Sequence, residues 1–389
     1  MKEYRKLGEI IELFDKRNKS LESTEVLGIS IDKEFMPSVA NTIGTDLSNY
    51  KLISKNIFVC NPMHVGRDER LPVSLYLRET PALVSPAYFM FKIKNENEVL
   101  PEFLMLLFKR KEFDRNCWFR TDGSVRGGIS WDDICEIKLP VPDIKEQQKI
   151  VDTYNAITNR IQIKQKINEN LEKTAQCLFE KSCNNENTEN TLGEIAKFID
   201  GDRGSNYPTL SDFYDDEYCL FLNASNVTEK GFNFDKCQFI TEEKDKSLRK
   251  GHLSYNDIVL TSRGTVGNVA LYTEMIQYKN VRINSGMLII RPNENKISVF
   301  VLYALLRSIF MKKEIERFRS GSAQPQLPVR DLEKMIFRIP NKENCSMLNQ
   351  QFKIIYESIT TNFNEIAKLQ ELKQLVISRI SGIQGEGYK

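Results

Sequence analysis

The sequence of 389 residues lacks several features on which enzymes and membrane proteins depend. It has no run of eighteen consecutive apolar residues, so we expect no membrane span. Only two histidines occur, His64 and His252, and the eight cysteines form no C-x-x-C pair. We therefore expect neither a zinc site nor a hydrolytic triad. The scattered cysteines and a polar start, MKEYRKLGEI, indicate a cytoplasmic protein with reduced thiols.

The chain also has little net charge. Its 55 Lys and Arg residues nearly balance 53 Asp and Glu residues, which leaves a formal charge of +2. A nucleic-acid-binding protein often carries a stronger basic excess, so the overall charge neither supports nor excludes DNA binding. The length exceeds that of one ordinary core and predicts two or more domains.

An internal repeat is the main organising feature of the sequence. Landmarks recur in the same order and at nearly the same spacing. These are KLGEI at 6–10 and TLGEI at 191–195, GSVRGG at 123–128 and GSAQPQ at 321–326, and a Gln-Gln pair at 147–148 and 350–351. The chain therefore contains two copies of one unit.

Each copy predicts the same succession of elements. Short alternating runs punctuated by Gly, Pro and Asn indicate strands and loops. One helix follows in each copy, Glu102–Lys111 and Ser298–Ile315, and then a long helix. We predict an α+β protein with two mixed α/β domains, separated by a long antiparallel two-helix coiled coil and related by a pseudo-twofold internal repeat. The predicted segments are a first domain 1–143, a first long helix 144–183, an Asn-rich linker 184–190, a second domain 191–342, and a second long helix with tail 343–389.

Both long helices carry a heptad pattern of four heptads or more. The predicted helix-pairing residues are Ile150, Tyr154, Ile157, Ile161, Asn168, Leu171 and Leu178 in the first helix, and Phe352, Ile355, Ile359, Asn362, Ile366, Leu369 and Val376 in the second. An antiparallel register aligns the two seams and places Asn168 opposite Asn362. Such a buried polar pair specifies register at some loss of stability. The alternative is that each helix only covers its own domain.

The seam has a length that suits two DNA half-sites. From Ile150 to Leu178 it would span about 42 Å at about 1.5 Å per residue. That length corresponds to about 12 base pairs of B-DNA. Two DNA-binding domains at this separation would face the same side of a duplex roughly one turn apart.

Several passages resemble the specificity subunit of type I restriction–modification systems. They are LPVPDIKEQQKIV at 139–151, GDRGS at 201–205, NDIVLTSRGTVGNVAL at 256–271 and NSGMLIIRP at 284–292, beside the two Leu-Gly-Glu-Ile starts and the two long helices. CNPMHVG at 60–66 and SPAYFMF at 85–91 resemble a different class of target-recognition domain. The resemblance covers nearly the whole chain in the order of the family.

The resemblance implies a specific role. Two target-recognition domains would each recognise one half of a split, asymmetric double-stranded DNA target. The helices would space these domains and dock two methylation subunits, which bind S-adenosylmethionine and methylate adenine. Restriction subunits would hydrolyse ATP, translocate DNA and cut it. This chain would carry no cofactor, perform no catalysis and contact no membrane.

An independent enzyme is the alternative from another class. An amino-methyltransferase needs an Asn/Asp-Pro-Pro-aromatic loop, and NPMH at 61–64 lacks both the second proline and the aromatic residue. RGTVG at 263–267 is too short for a dinucleotide-binding loop and lacks the Gly-Lys-Ser/Thr of a P-loop. A third possibility is a stand-alone DNA-binding or scaffold protein without methylation partners.

Candidate DNA contacts follow from the chemistry of base recognition. Arg suits guanine and Asn or Gln suits adenine, whereas Lys, Arg and Ser also contact phosphates. The first-domain candidates are Asn61, His64, Arg67, Arg70, Arg120, Ser124 and Arg126, and the second-domain candidates are Arg203, Ser205, Asn206, Tyr207, Ser262, Arg263, Thr265, Ser322, Gln324 and Gln326. Asp68 and Glu69 are expected to pair with Arg67 and Arg70, and the alternative is that they accept hydrogen bonds from cytosine amino groups. For Arg263, the alternative is a solvated side chain beside a tight glycine turn. Because the two sets differ, we expect the two DNA half-sites to differ in sequence.

Overall fold

A computed structural model describes residues 3–39, 44–63, 65–121, 127–183, 188–318, 326–340 and 342–380. The chain divides into two compact units. Unit 1 comprises Met1–Gln162 and Ala367–Lys389, and unit 2 comprises Ile163–Ile366. Each long helix therefore contributes one part to each unit, whereas the sequence predicted the helices as segments of their own.

Unit 1 contains one strand pair and two four-stranded sheets. Glu3–Lys6 pairs antiparallel with Lys138–Val141, the strand that leads into the first long helix. The spatial order of the first sheet is Ile11–Leu13, Phe89–Ile93, Phe58–Cys60, Val73–Leu75, and that of the second sheet is Phe35–Pro37, Val26–Ile29, Ala82–Val84, Lys51–Ile53. In the second sheet Val26–Ile29 runs parallel to Ala82–Val84.

The helices of unit 1 pack on the first of these sheets. They are Leu7–Ile10, Val65–Asp68, Pro101–Phe108, Lys111–Phe119 and Trp131–Cys135, with a 3₁₀ turn at Leu47–Asn49. The rings of Phe58, Phe91 and Phe108 lie in contact in the core, with centroids 5.2–6.1 Å apart. Aromatic rings bury large apolar areas, so this cluster anchors the helices to the sheet.

Unit 2 repeats this plan. Thr188–Thr191 pairs antiparallel with Ile336–Ile339. A four-stranded sheet has the order Ala196–Asp200, Met287–Pro292, Ile258–Thr261, Val269–Leu271, a three-stranded sheet has the order Phe239–Ile240, Cys219–Leu222, Val281–Ile283, and Val227–Thr228 pairs with Gly231–Phe232. Its shorter helices are Leu192–Ile195, Glu242–Ser247, Val299–Arg307, Ile309–Phe318 and Val329–Glu333, with 3₁₀ turns at Leu210–Asp212 and Ala224–Asn226.

The two units share their connectivity. In each, a terminal strand pairs with the strand before a long helix, and a Leu-Gly-Glu-Ile helix follows that terminal strand. In each, the four-stranded antiparallel sheet has the same order along the chain, and the second sheet contains one parallel strand pair. The sequence repeat therefore corresponds to a repeat of topology.

Two predicted boundaries differ from the structure. The single helix expected before each long helix is two helices, which break at Lys109–Arg110 and at Ser308. The buried Ser308 side chain accepts a hydrogen bond from the Met311 amide at 3.1 Å, so it caps the second helix of its pair. The predicted linker 184–190 is too long, because strand pairing begins at Thr188.

The two long helices span Ile144–Ser182 and Lys342–Arg379. Every predicted helix-pairing residue is buried or half-buried. In unit 1, Tyr154 shares a core with Ile377 and Ile380, and in unit 2, Ala175 shares a core with Phe352. Within unit 2, Lys164 pairs with Glu365 and Asn168 bonds to Asn362, so the parts of the two helices in this unit run antiparallel. Within each unit, both helices contribute side chains to that unit's own core, so helix pairing and domain covering occur together.

Within the described residues, no helix combines the length and the apolar character that crossing a bilayer requires.

Candidate DNA interface

Two loops of unit 2 meet at a third, the turn Asn284–Gly286. Arg203 Nη2 donates a hydrogen bond to the Ser285 carbonyl at 3.3 Å, and the Tyr207 hydroxyl accepts one from the Ser285 amide at 3.4 Å. The amide and the hydroxyl of Ser262 both donate to the Gly286 carbonyl, at 2.9 and 3.1 Å. We call residues 201–207, 262–267 and 284–286 the three-loop site.

Glycines allow the backbones of the three-loop site to approach each other. A Cβ on Gly201 would collide with the carbonyl of Asn284. Gly264 and Gly267 have φ of +72° and +97°, in the left-handed region that favours glycine. The loop between them is closed by the Thr261 hydroxyl, which donates to the Thr265 carbonyl. These residues therefore shape a tight turn that presents the side chain of Arg263.

A buried carboxylate organises the first loop of the site. Asp202 is 6% exposed, and its oxygens accept hydrogen bonds from the amides of Gly204 at 2.7 Å, Arg249 at 2.6 Å and Lys250 at 3.3 Å. The bond from the Gly204 amide is the main cause that lowers the pKa of Asp202 below its usual range. The charged form thus fastens residues 202–204 to residues 249–250.

The candidate side chains of unit 2 differ in how freely they face solvent. Arg203 is exposed but pairs with Asp200 at 3.1 Å, and Asn206 Nδ2 donates to the Ser247 carbonyl at 3.1 Å. Ser262 is buried, whereas Ser205, Arg263 and Thr265 are exposed. Arg263 forms an isolated β-bridge with Gln326, which brings that exposed residue to the same turn. Ser322 and Gln324 lie outside the described residues.

Two described candidates of unit 1, Asn61 and Arg120, are held by hydrogen bonds to residues close in the sequence. Asn61 is half-buried, and its side chain accepts from the Met63 amide at 3.1 Å. Arg120 Nη1 donates to the Asn116 carbonyl at 3.3 Å. His64, Ser124 and Arg126 lie outside the described residues.

The two remaining arginines of this group are held in ion pairs. Arg67 binds Asp68 through two hydrogen bonds, of 2.7 and 3.0 Å. Arg70 pairs at 3.1 Å with Asp32, so its partner is not Glu69 as expected. Both arginines stay about half exposed, with side-chain exposures of 58% and 50%, and remain accessible to a ligand.

Sequence reasoning missed two parts of the three-loop site, the turn Asn284–Gly286 and the carboxylate of Asp202. The turn contributes mainly backbone atoms, which a search for side-chain donors overlooks. The available signal was an Asn-Ser-Gly run directly before an apolar strand, which is typical of a turn.

Among the described residues, no cluster of three or more His, Cys, Asp or Glu side chains is placed to hold a metal ion.

Comparisons with known proteins give the family. A sequence model described as the type I restriction modification DNA specificity domain matches residues 2–173 and 184–375. The MjaIX specificity subunit of Methanocaldococcus jannaschii is 25% identical over 303 residues, which cover 72% of this chain and 68% of the relative. The HindI specificity subunit of Haemophilus influenzae is 24% identical over 370 residues, with coverages of 75% and 79%.

A solved structure shares the fold. The type I S subunit from M. genitalium superposes with a TM-score of 0.62 at 15% identity, over 97% of this chain and 95% of that one. Because the family match extends over nearly the whole sequence, in two copies, the chain belongs to the DNA specificity subunits of type I restriction–modification systems.

Proposed function

We propose that this chain recognises a split, asymmetric DNA target, with unit 1 and unit 2 each contacting one half. One observation carries the proposal: the two units share their topology and differ in the polar side chains at equivalent turns. In unit 2 the turn after the strand Ile258–Thr261 contains the buried Ser262 and the exposed Arg263. In unit 1 the turn after Phe58–Cys60 contains the half-buried Asn61 and the buried, apolar Pro62.

The backbone bonds at these turns are equivalent, although the side chains are not. The Ser262 carbonyl accepts from the Leu327 amide at 3.0 Å, and the Pro62 carbonyl accepts from the Ile129 amide at 3.1 Å. Each bond joins the turn to the residues that follow GSAQPQ or GSVRGG. Because direct recognition depends on side-chain donors and acceptors, one scaffold with different side chains suits two different half-sites.

In this proposal the paired long helices space the two recognition domains and dock two methylation subunits, with restriction subunits joining the complex. The helices keep apolar side chains on their exposed faces. Ile163, Ile167 and Ile354 are 60%, 42% and 61% exposed, and Leu372 and Leu375 are 45% and 41% exposed. Exposed apolar side chains on a helix that has already buried its seam support docking of a protein partner.

The chemistry of the complex is assigned to the partners. Methylation subunits would bind S-adenosylmethionine and methylate adenine, and restriction subunits would hydrolyse ATP. This chain would act in the cytoplasm without a cofactor and without catalysing a reaction. Its contribution would be recognition and positioning.

Methylation sequencing of a host with and without this chain tests the proposal. We expect adenine methylation at one two-part motif with a fixed gap, present only when the chain and its methylation subunits are both expressed. Methylation that persists without the partner subunits, or S-adenosylmethionine binding by the isolated chain, would favour an independent methyltransferase. DNA binding without any co-purifying methyltransferase would favour a stand-alone DNA-binding protein.

A further inference from the structure

The segment Arg249–Gly251 is held from two sides in unit 2. On one side, the Asp202 carboxylate accepts the amides of Arg249 and Lys250 at 2.6 and 3.3 Å. On the other side, the buried Arg282 guanidinium donates to the Lys250 carbonyl at 2.6 Å. The backbone conformation of this segment is therefore determined by charged groups that do not themselves reach solvent.

Arg282 is in turn fixed by a buried ion pair. Its Nε donates to Asp245 Oδ1 at 2.6 Å, and its Nη2 donates to the Asp245 carbonyl at 2.9 Å. Both side chains are at most 10% exposed. A buried pair with additional hydrogen bonds is rigid, because breaking it leaves an uncompensated charge.

The segment leads directly to the three-loop site. The Ile283 amide donates to the Gly251 carbonyl at 2.8 Å, and the Leu253 amide donates to the Val281 carbonyl at 2.9 Å. The strand Val281–Ile283 that pairs with this segment ends at the turn Asn284–Gly286. Arg249 is thus hydrogen-bonded to the loop 201–207. Its segment is also hydrogen-bonded to the strand that ends at the turn Asn284–Gly286.

The guanidinium of Arg249 lies across Gly204. A Cβ added to Gly204 would approach Arg249 Nη2 to 2.7 Å, so the absence of a side chain leaves room for the guanidinium. Arg249 is exposed, and its charge lies near the Asp202 carboxylate, whose pKa it helps to lower, but among the described residues its guanidinium forms no direct ion pair. Neighbouring cations are paired: Arg203 with Asp200, Lys244 with Asp212, and Lys246 with Glu242.

We propose that Arg249 is a DNA-contacting residue of unit 2 that binds a backbone phosphate and positions the three-loop site on the duplex. This inference rests on the proposed DNA-recognition function. The Asp202 carboxylate already accepts three backbone amides, so the exposed Arg249 guanidinium keeps its donors for an anionic ligand, and phosphate contacts are the ones that set the position of a protein on DNA. Arg249 is followed in the chain by a second exposed cation, Lys250, and two adjacent positive charges favour a phosphate.

The test uses the full chain purified with its methylation subunit. Binding is measured on the target duplex found by methylation sequencing and on a duplex with both halves scrambled, between about 50 and 200 mM salt. Arg249→Ala should weaken binding to both duplexes by the same factor, roughly threefold to tenfold, and reduce the slope of log affinity against log salt by about 0.9. Arg249→Lys, which keeps a point charge, should restore most of both quantities.

Two further variants separate a specific contact from general electrostatics. Lys246→Ala removes the same charge from the preceding helix and should leave binding unchanged. Gly204→Ala should displace the guanidinium and reproduce the loss seen with Arg249→Ala. In the double variant the two effects should not add, because both act on one contact.

Three results would overturn the inference. The first is wild-type affinity in Arg249→Ala, and the second is a loss of affinity for the target duplex with none for the scrambled duplex. The third is an equal loss in Lys246→Ala. Equal binding of the wild-type complex to the target and to the scrambled duplex is a different result. It would contradict the proposed sequence recognition itself, whatever Arg249 does.

Discussion

Asn362 Nδ2 donates a hydrogen bond of 2.7 Å to Asn168 Oδ1, and both side chains are buried between the long helices within unit 2. Lys164 extends this polar layer: its Nζ donates to Asn362 Oδ1 at 2.9 Å and pairs with Glu365 at 2.8 Å. These are the two asparagines that the antiparallel register places opposite each other. A polar layer in an apolar seam penalises every other alignment, because a shifted register would bury these groups without partners.

Replacing one member of the pair should destabilise the chain. Asn362→Leu removes the donor to the buried Asn168 Oδ1 and one acceptor of Lys164, so we expect the free energy of unfolding to fall by about 1–3 kcal/mol. The double variant Asn168→Leu with Asn362→Leu should recover wild-type stability or exceed it, because two apolar side chains replace two polar ones. Urea unfolding of the full chain measures both.

Asn170→Leu is the matched control, since Asn170 lies on the same helix and is exposed. Its effect should stay within about 0.5 kcal/mol. Equal stability of Asn362→Leu and the wild type would show that the buried hydrogen bond contributes nothing to unit 2.

The repeat, the long helices and the Asn168–Asn362 pairing were predictable because each leaves a periodic or duplicated signal in the sequence. The break at Ser308 was not, because neither proline nor glycine marks it and the serine becomes a cap only through its tertiary setting. Likewise, the parallel strand pair Cys219–Leu222 and Val281–Ile283 joins segments about sixty residues apart, which local periodicity does not connect.

The candidate site was predictable only in its side chains. Arg203, Tyr207, Ser262 and Arg263 were chosen for their side chains, and the structure brings them to one turn. The organising atoms, however, are the amide and carbonyl of Ser285 and the carbonyl of Gly286. Backbone groups are common to all residues, so only the folded chain shows which of them meet.

Within unit 2, an ion pair of low exposure should hold the first long helix against the helix Val299–Arg307. Arg307 donates to the two carboxylate oxygens of Glu172 at 2.6 and 3.2 Å, and the side chains are 10% and 25% exposed. Arg307→Met leaves the partly buried Glu172 carboxylate without its partner, so we expect a loss of about 1–3 kcal/mol in urea unfolding. Arg317→Ala, at a side chain that is 74% exposed, is the control and should change stability by less than about 1 kcal/mol. A similar loss in both variants would contradict the role of the buried pair.

The carboxylate of Asp202 should give unit 2 an acid-sensitive loop. Its folded pKa is depressed, chiefly by the Gly204 amide, below an unfolded value of about 3.9. The stabilisation is therefore fully present above that unfolded value and is lost as the pH falls through the folded pKa. Asp202→Asn should lower the melting temperature by about 2–4 °C at neutral pH. The difference from the wild type should stay constant down to about pH 5 and shrink below about pH 4; a difference that grows on acidification would contradict this assignment.

Cysteine alkylation should follow burial. Cys177 is exposed on the first long helix, whereas burial raises the pKa of Cys60 to about 12. The thiolate is the reactive form, so iodoacetamide at pH 8 should modify Cys177 first and leave Cys60 unmodified in the native chain. Peptide mass spectrometry over time measures this, and in denaturant all eight cysteines should react. Comparable native rates at the two positions would show that the core strand Phe58–Cys60 is not protected.

Arg263 should contribute base recognition in one half-site only. Its backbone is held by the β-bridge to Gln326 and by a hydrogen bond of 3.1 Å from its amide to the Gly286 carbonyl. Its side chain is exposed. If the guanidinium contacts a guanine, Arg263→Ala should weaken binding of the methyltransferase complex to its target by about 1–3 kcal/mol. It should also relax the preference at one base pair of one half-site, which affinity measurements on single-base-pair variants of the target detect.

The control variant Arg338→Ala removes an exposed arginine that pairs with Glu189 and should leave the base preference intact. A loss that is uniform over all sequences, with a shallower salt dependence, would instead assign Arg263 to a phosphate, because a charge that neutralises the DNA backbone cannot distinguish one base pair from another.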